Sequence, residues 1–151
     1  MRILELLSAQ TVCLHLQAQN KQDLLRELAH MLSHAHPSIC AEDFFQTLEV
    51  REKLGSTGLG EGVAIPHGKL PGLGTLVACL GISQQGIEFE AFDKKPSHLF
   101  FALVSPESFP AFHLKALARI SRMFRKAPFR AALLAATTPQ VVLELVDAHD
   151  V

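Results

Sequence analysis

Leu54-Gly55-Ser56-Thr57-Gly58-Leu59-Gly60-Glu61-Gly62-Val63-Ala64-Ile65-Pro66-His67-Gly68-Lys69 is the stretch where the character of the chain changes. From Gly55 to Gly74 the sequence holds seven glycines (Gly55, Gly58, Gly60, Gly62, Gly68, Gly72 and Gly74) and two prolines, Pro66 and Pro71. No regular helix survives that density, and short strands are the most such a stretch holds. Long irregular segments inside compact domains are usually functional, because a core alone does not require them.

Helical and strand patterns alternate on both sides of it. Upstream, Val12, Leu14 and Leu16 alternate with Cys13, His15 and Gln17, the pattern of a half-buried strand. Asn20 predicts an N-cap, with Asp23 in the first turn, for a helix through Leu24, Leu25, Leu28 and Leu32 that Pro37 ends. A second helix is predicted from Ala41 to Leu54, burying Phe44, Phe45 and Leu48, with Gly55 as its stop. Downstream, residues 75–82 and 98–104 read as apolar strands and residues 86–89 as a weak edge strand. Phe112 to Phe124 has helical spacing through Leu114, Leu117, Ile120 or Ser121, and Phe124. Pro128 suits the first position of one short helix; Thr138 as N-cap and Pro139 behind it suit another. Interleaving of this kind makes the class α/β or α+β with a layered sheet, and no repeat or linker divides residues 1–151.

The chain has 151 residues and 16.5 kDa, the size of one ordinary domain, with 48% hydrophobic and 19% charged residues. That composition buries a core and excludes a disordered or fibrous chain. With 14 Lys+Arg against 15 Asp+Glu there is no basic excess, which argues against a nucleic-acid binder. Cys13, Cys40 and Cys79 form no CxxC pair, so neither a disulfide framework nor a zinc site is indicated. Glu5 interrupts the N-terminus before any apolar run develops, and no apolar stretch reaches the ~20 residues that span a bilayer. The expectation is a soluble, cytoplasmic protein with no membrane insertion.

His67 is the residue whose neighbours suggest chemistry. Pro66 stiffens the backbone entering it, and Gly68 leaves room for a bulky anion beside the ring. Upstream glycines offer backbone N–H groups to an anion, and Arg51, at the end of the preceding helix, offers a fork that matches phosphoryl oxygens. An imidazole keeps one ring lone pair available at neutral pH, so the set suits nucleophilic attack on phosphorus with a covalent intermediate. A lone Pro-His-Gly is more often a packed loop histidine, and GxxxxGK[ST] is absent, so this is no P-loop. His113, before Leu114 and Leu117, falls in a helix's first turn, where the dipole favours anions; from the residues alone, packing against Phe109 or Phe112 is the preferred reading.

Other clusters carry less. His30, His34 and His36 lack a thiol or carboxylate partner for a metal and read as a solvated helix end. Arg119, Arg122, Arg125 and Lys126 read as a solvated face with a minor potential to receive an acidic partner, and His98 and Cys79 as structural.

Leu54-Gly55-Ser56-Thr57-Gly58 followed by Val63-Ala64-Ile65-Pro66-His67-Gly68 closely resembles the signature of type-2 enzyme IIA domains of the bacterial phosphoenolpyruvate-dependent phosphotransferase system, the fructose/mannitol class and its nitrogen-regulatory branch. The resemblance covers nearly the whole chain, including the helix start His113-Leu114-Lys115-Ala116-Leu117-Ala118-Arg119. It implies one enzyme IIA type-2 domain over 1–151, a mixed central β-sheet flanked by helices. It makes His67 the phosphoacceptor on Nε2, His113 an assisting histidine that is not itself phosphorylated, and Arg51 a phosphoryl-stabilising residue. Thr57, Gly58 and Gly68 are then expected to cradle the phosphoryl group.

The implied donor is a phosphorylated histidine carrier protein, HPr or its nitrogen-branch counterpart NPr. No metal or cofactor is required, because nucleophile and leaving group are imidazoles of similar basicity. The absence of IIB and IIC sequences and the Leu-Leu and Asn-Lys pattern of the opening favour the nitrogen-regulatory branch, acting as a phosphorylation-dependent switch. A sugar-specific IIA passing phosphate to a separate IIB protein is the alternative. A third reading, of another class, is a non-catalytic module that regulates a kinase or transporter.

Overall fold

Alternation along one strand sets the layering. The computed structural model describes residues 1–151. Its central strand, Ser97–Pro106, points Leu99, Phe101 and Leu103 to one face and Phe100, Ala102 and Val104 to the other, and every one of these side chains is buried. The two faces nucleate clusters of 19 and 18 buried residues, so neither face is left to solvent.

The strands are β1 (Val12–Cys13), β2 (Gly58–Gly60), β3 (Val63–Ala64), β4 (His67–Leu70), β5 (Val77–Ile87) and β6 (Ser97–Pro106). They form one mixed sheet in the order β1-β5-β6-β3-β2, with β4 also paired to β6. β5 and β6 run antiparallel, whereas β3 and β4 lie parallel to β6 one after the other, Val63 opposite Leu99 and His67 opposite Leu103. The helices are α1 (Lys21–Ala35), α2 (Ala41–Lys53), α3 (Pro110–Phe124), α4 (Ala127–Ala135) and α5 (Pro139–His149). α1 and α2 supply the cluster on the Phe100 face; α3, α4 and α5 supply the one on the Leu99 face. None of these helices is long and apolar enough to cross a membrane.

Caps and stops follow the sequence. The Asn20 side chain accepts the Asp23 N–H at 2.8 Å, and that of Thr138 accepts the Val141 N–H at 3.2 Å. α2 stops at Lys53, one residue short of the predicted Leu54, and Gly55 just beyond its cap has a φ of +148°, open to glycine without a Cβ penalty. Other boundaries also differ from the sequence pattern. Leu14 and Leu16 are buried as expected, but sheet pairing stops at Cys13, and the Glu27 carboxylate takes the N–H groups of Gln17 and Ala18. Residues 86–89 are no separate edge strand: β5 runs on to Ile87 through an irregularity at which Gly86 has φ +85°. α3 starts at Pro110, two residues early, because proline is preset for a first helical position. α4 starts at Ala127, which puts Pro128 at its second position, where a missing N–H is equally harmless.

The basic end of α3 is only partly a solvated face. Arg119 pairs with buried Asp150, and Lys126 Nζ donates to the His149 carbonyl at 2.8 Å, tying α3 to the last turn of α5. His30 and His34 are exposed at the end of α1. Cys79 is buried, and His98 holds the Ser83 carbonyl at 2.9 Å, both in structural settings.

Candidate active site

The register of β4 on β6 decides where His67 goes. In that parallel pairing His67 sits opposite Leu103 and Lys69 opposite Ser105, so both lie over the face that α3 covers. Gly68, opposite Val104, faces the α2 side. α3 brings His113 over the same spot from above: the two imidazole centroids are 5.5 Å apart, with planes inclined at 48°. Arg51 arrives from the other layer, on the last turn of α2, and its Nη1 donates to the Gly55 carbonyl at 2.9 Å. All three line one open cleft of about 610 Å³ that wraps the edge of the sheet, with Thr47, Lys69 and Leu114 among its other walls.

The proton positions on His67 follow from its surroundings. Nδ1 lies 2.8 Å from the Ile65 carbonyl oxygen, which only accepts, so Nδ1 carries the hydrogen and Nε2 carries the lone pair. Burial holds this imidazole below its ordinary range; the bond to Ile65 opposes the shift and the Arg51 charge adds to it. His113, 5% exposed, is pushed down to about 4 by burial and by the His67 and Lys69 charges. Both rings are therefore neutral at pH 7. A neutral Nε2 beside Arg51 and Lys69, which supply positive charge, can attack an electrophilic phosphorus and hold an anion.

The loop expected to cradle that anion lies elsewhere. Thr57 is 5% exposed and turned away from the cleft: its N–H donates to Glu52 Oε1 at 3.1 Å and its hydroxyl donates to Glu52 Oε2. Gly58 is glycine because a Cβ there would meet the Ala91 Cα at 2.8 Å, and its N–H is taken by Ser56 Oγ at 3.0 Å. The Glu61 N–H is likewise taken, by Asp93. Gly68 does line the cleft, yet its missing Cβ serves packing: one would sit 2.6 Å from Thr47 Cγ2, so glycine lets α2 close onto β4. His113 contributes its ring and not its N–H, which donates to the Phe109 carbonyl at 3.4 Å.

Three contributors escaped the sequence pattern. Lys69 follows the histidine by two residues, and alternation along β4 puts it on the same face. Glu52 is a buried carboxylate bonded to Lys21 Nζ at 3.0 Å, and only its place beside Arg51 hinted at it. Ser105, wholly buried, lies 2.6 Å from His113 Nδ1; it sits one residue beyond the apolar run read as a strand.

Residues 5–149 match the family model described as "Phosphoenolpyruvate-dependent sugar phosphotransferase system, EIIA 2", and the chain belongs to that family. It is 36% identical over 146 residues to a nitrogen regulatory protein of Bradyrhizobium diazoefficiens, covering 97% of this chain and 95% of that one. It is 31% identical over 150 residues to the fructose-specific EIIABC component of Bacillus subtilis, covering 99% of this chain but only 24% of that much longer protein. The crystal structure of nitrogen regulatory protein IIA-Ntr from Neisseria meningitidis superposes with a TM-score of 0.91 at 33% identity, over 95% of this chain and 98% of that one. An Escherichia coli complex of enzyme IIAMTL with phosphorylated enzyme IIBMTL shares the fold, with a TM-score of 0.78 at 20% identity over 94% and 97% of the two chains. The mixed sheet flanked by helices is thus the type-2 IIA fold, and the resemblance to the nitrogen-regulatory branch is matched by relatives of that kind.

Proposed function

We propose that this chain acts as one domain in the cytoplasm and carries a phosphoryl group on His67 Nε2, accepted from a phosphohistidine of HPr or NPr. The observation that carries the reading is the His67 Nδ1 contact with the Ile65 carbonyl, which leaves a single lone pair facing the cleft. In the step, the N–P bond of the donor breaks as the bond from Nε2 to phosphorus forms, and the donor imidazole leaves with the electron pair. Nδ1–H stays on its carbonyl and shares the positive charge that develops on the ring. Arg51, Lys69 and His113 stabilise the equatorial oxygens. Imidazole replaces imidazole, so the transfer is close to isoenergetic and reverses easily, as a relay requires.

The nitrogen-regulatory relatives support a regulatory role, which we take to be that of a switch whose phosphorylation state is read by a kinase or transporter. The match to the fructose-specific component supports, as second reading, delivery to a IIB protein, the kind of partner in the IIAMTL complex. Incubation with phosphoenolpyruvate, enzyme I and HPr or NPr, read by intact mass, should add one acid-labile phosphoryl group that His67→Ala lacks. For the switch, His67→Ala and His67→Asp should shift target binding in opposite directions. Equal binding by both variants and by both states of the wild type would contradict it, and delivery to a IIB protein would favour the transport reading.

A further inference from the structure

The two cleft histidines differ in what holds Nδ1. On His67 it is a carbonyl, which only accepts. On His113 it is the Ser105 hydroxyl, which donates or accepts. Ser105 is 0% exposed, and its side chain has no hydrogen-bond partner other than this ring. Two proton arrangements are conceivable. If His113 Nδ1–H donated to Ser105 Oγ, the serine hydrogen would be buried with no acceptor. If Ser105 O–H donates to Nδ1, every hydrogen in the pair is satisfied, and the His113 hydrogen sits on Nε2.

We infer that Ser105 is a positioning residue that fixes His113 in its Nε2–H form, and so makes it a hydrogen-bond donor to the phosphoryl group while denying it the role of nucleophile. The register supports this. Ser105 continues the Leu99-Phe101-Leu103 face of β6, opposite Lys69 and directly under α3, where an apolar residue would fit the pattern and a lone hydroxyl needs a partner. Two neutral imidazoles 5.5 Å apart then present opposite faces to the same cleft: a lone pair on His67 Nε2 and a hydrogen on His113 Nε2. A second lone pair there would repel phosphoryl oxygens and compete for phosphorus. The function given to this tautomer rests on the carrier reading above; the tautomer itself does not.

Imidazole 15N shifts of histidine-labelled protein, assigned through two-bond proton correlations, test it on the unphosphorylated chain. The wild type should show a protonated Nε2 on His113 and a protonated Nδ1 on His67. Ser105→Ala should raise the Nδ1–H population of His113, leave His67 unchanged, and slow phosphoryl uptake by on the order of 10-fold or more, as loss of a partner that orients a functional histidine does. Ser105→Thr, which keeps the hydroxyl, should restore both readouts. A wild-type His113 protonated on Nδ1, or a Ser105→Ala protein with unchanged His113 shifts, would overturn the inference. Wild-type shifts as stated without phosphoryl uptake from any donor would uphold the tautomer assignment and overturn the carrier reading instead.

Discussion

The glycine-rich loop of residues 55–62 and the cleft at the edge of β4 lie next to each other in sequence and do opposite things. Both are rich in groups that suit an anion. In the loop those groups are committed: Thr57 to Glu52, Gly58 to Ser56, Glu61 to Asp93. In the cleft, the Nε2 atoms of His67 and His113 make no hydrogen bond to the protein, and Lys69 is exposed. Availability in the fold, and not residue type, separates a binding group from a structural one. Glycine marks close packing of backbone at Gly58 and Gly68, at one against Ala91 and at the other against helix α2.

The sharpest contrast comes from substitutions on the two sides. His67→Ala should abolish phosphoryl uptake outright while the far-UV spectrum and Tm stay close to wild type. Arg51→Ala should lower the transfer rate by about 100-fold, the cost of removing one preorganised donor from developing charge, again with little loss of stability, since the half-buried guanidinium holds only the Gly55 carbonyl. The loop should behave in reverse. Thr57→Val strips the hydroxyl donor from a buried carboxylate, leaving only the backbone N–H on it, and should cost about 1–3 kcal/mol in denaturant unfolding, with the transfer rate per folded molecule unchanged. Should Thr57→Val instead slow transfer as Arg51→Ala does, the separation of loop from cleft is wrong.

The smallest effect is in the pH dependence. His67 and His113 both lie below the ordinary histidine value in the folded chain, His113 at about 4. Between about 4 and the unperturbed value near 6.5 the unfolded chain binds more protons than the folded one. Stability is therefore complete above that upper value and falls as pH drops through the window. His113→Gln should flatten part of this fall, measured as the difference between the two denaturation profiles. Phosphoryl uptake should likewise stay level down to the ordinary histidine range and decline only below it, because the lone pair on His67 persists.

Much of this architecture is legible in the residues. Asn20, Gly55, Thr138 and Pro139 act locally, so the helices they cap are placed correctly by local rules. The parity of residues 99–104 already tells which side chains share a face. What sequence patterns do not carry is pairing at a distance. β3 and β4 have two and four residues, too few to show a period, and their position comes from the parallel register with β6. The site divides in the same way. His67, Arg51 and His113 stand out through their motifs and their helix ends, and the fold brings them together. Thr57 and Gly58 look like a phosphate cradle until Glu52 and Ala91 are seen against them. Ser105 is invisible because its meaning depends on a histidine eight residues further along the chain, on α3.

The central claim is that the phosphoryl group resides on one particular nitrogen. The direct measurement transfers phosphate from phosphoenolpyruvate through enzyme I and HPr or NPr to 15N-histidine-labelled protein and records phosphorus–nitrogen coupling. The account predicts one phosphorus bonded to Nε2 of His67, His113 free of phosphorus, and no signal in His67→Ala. Phosphorus on His113, or on Nδ1 of His67, or no incorporation from any donor would contradict it.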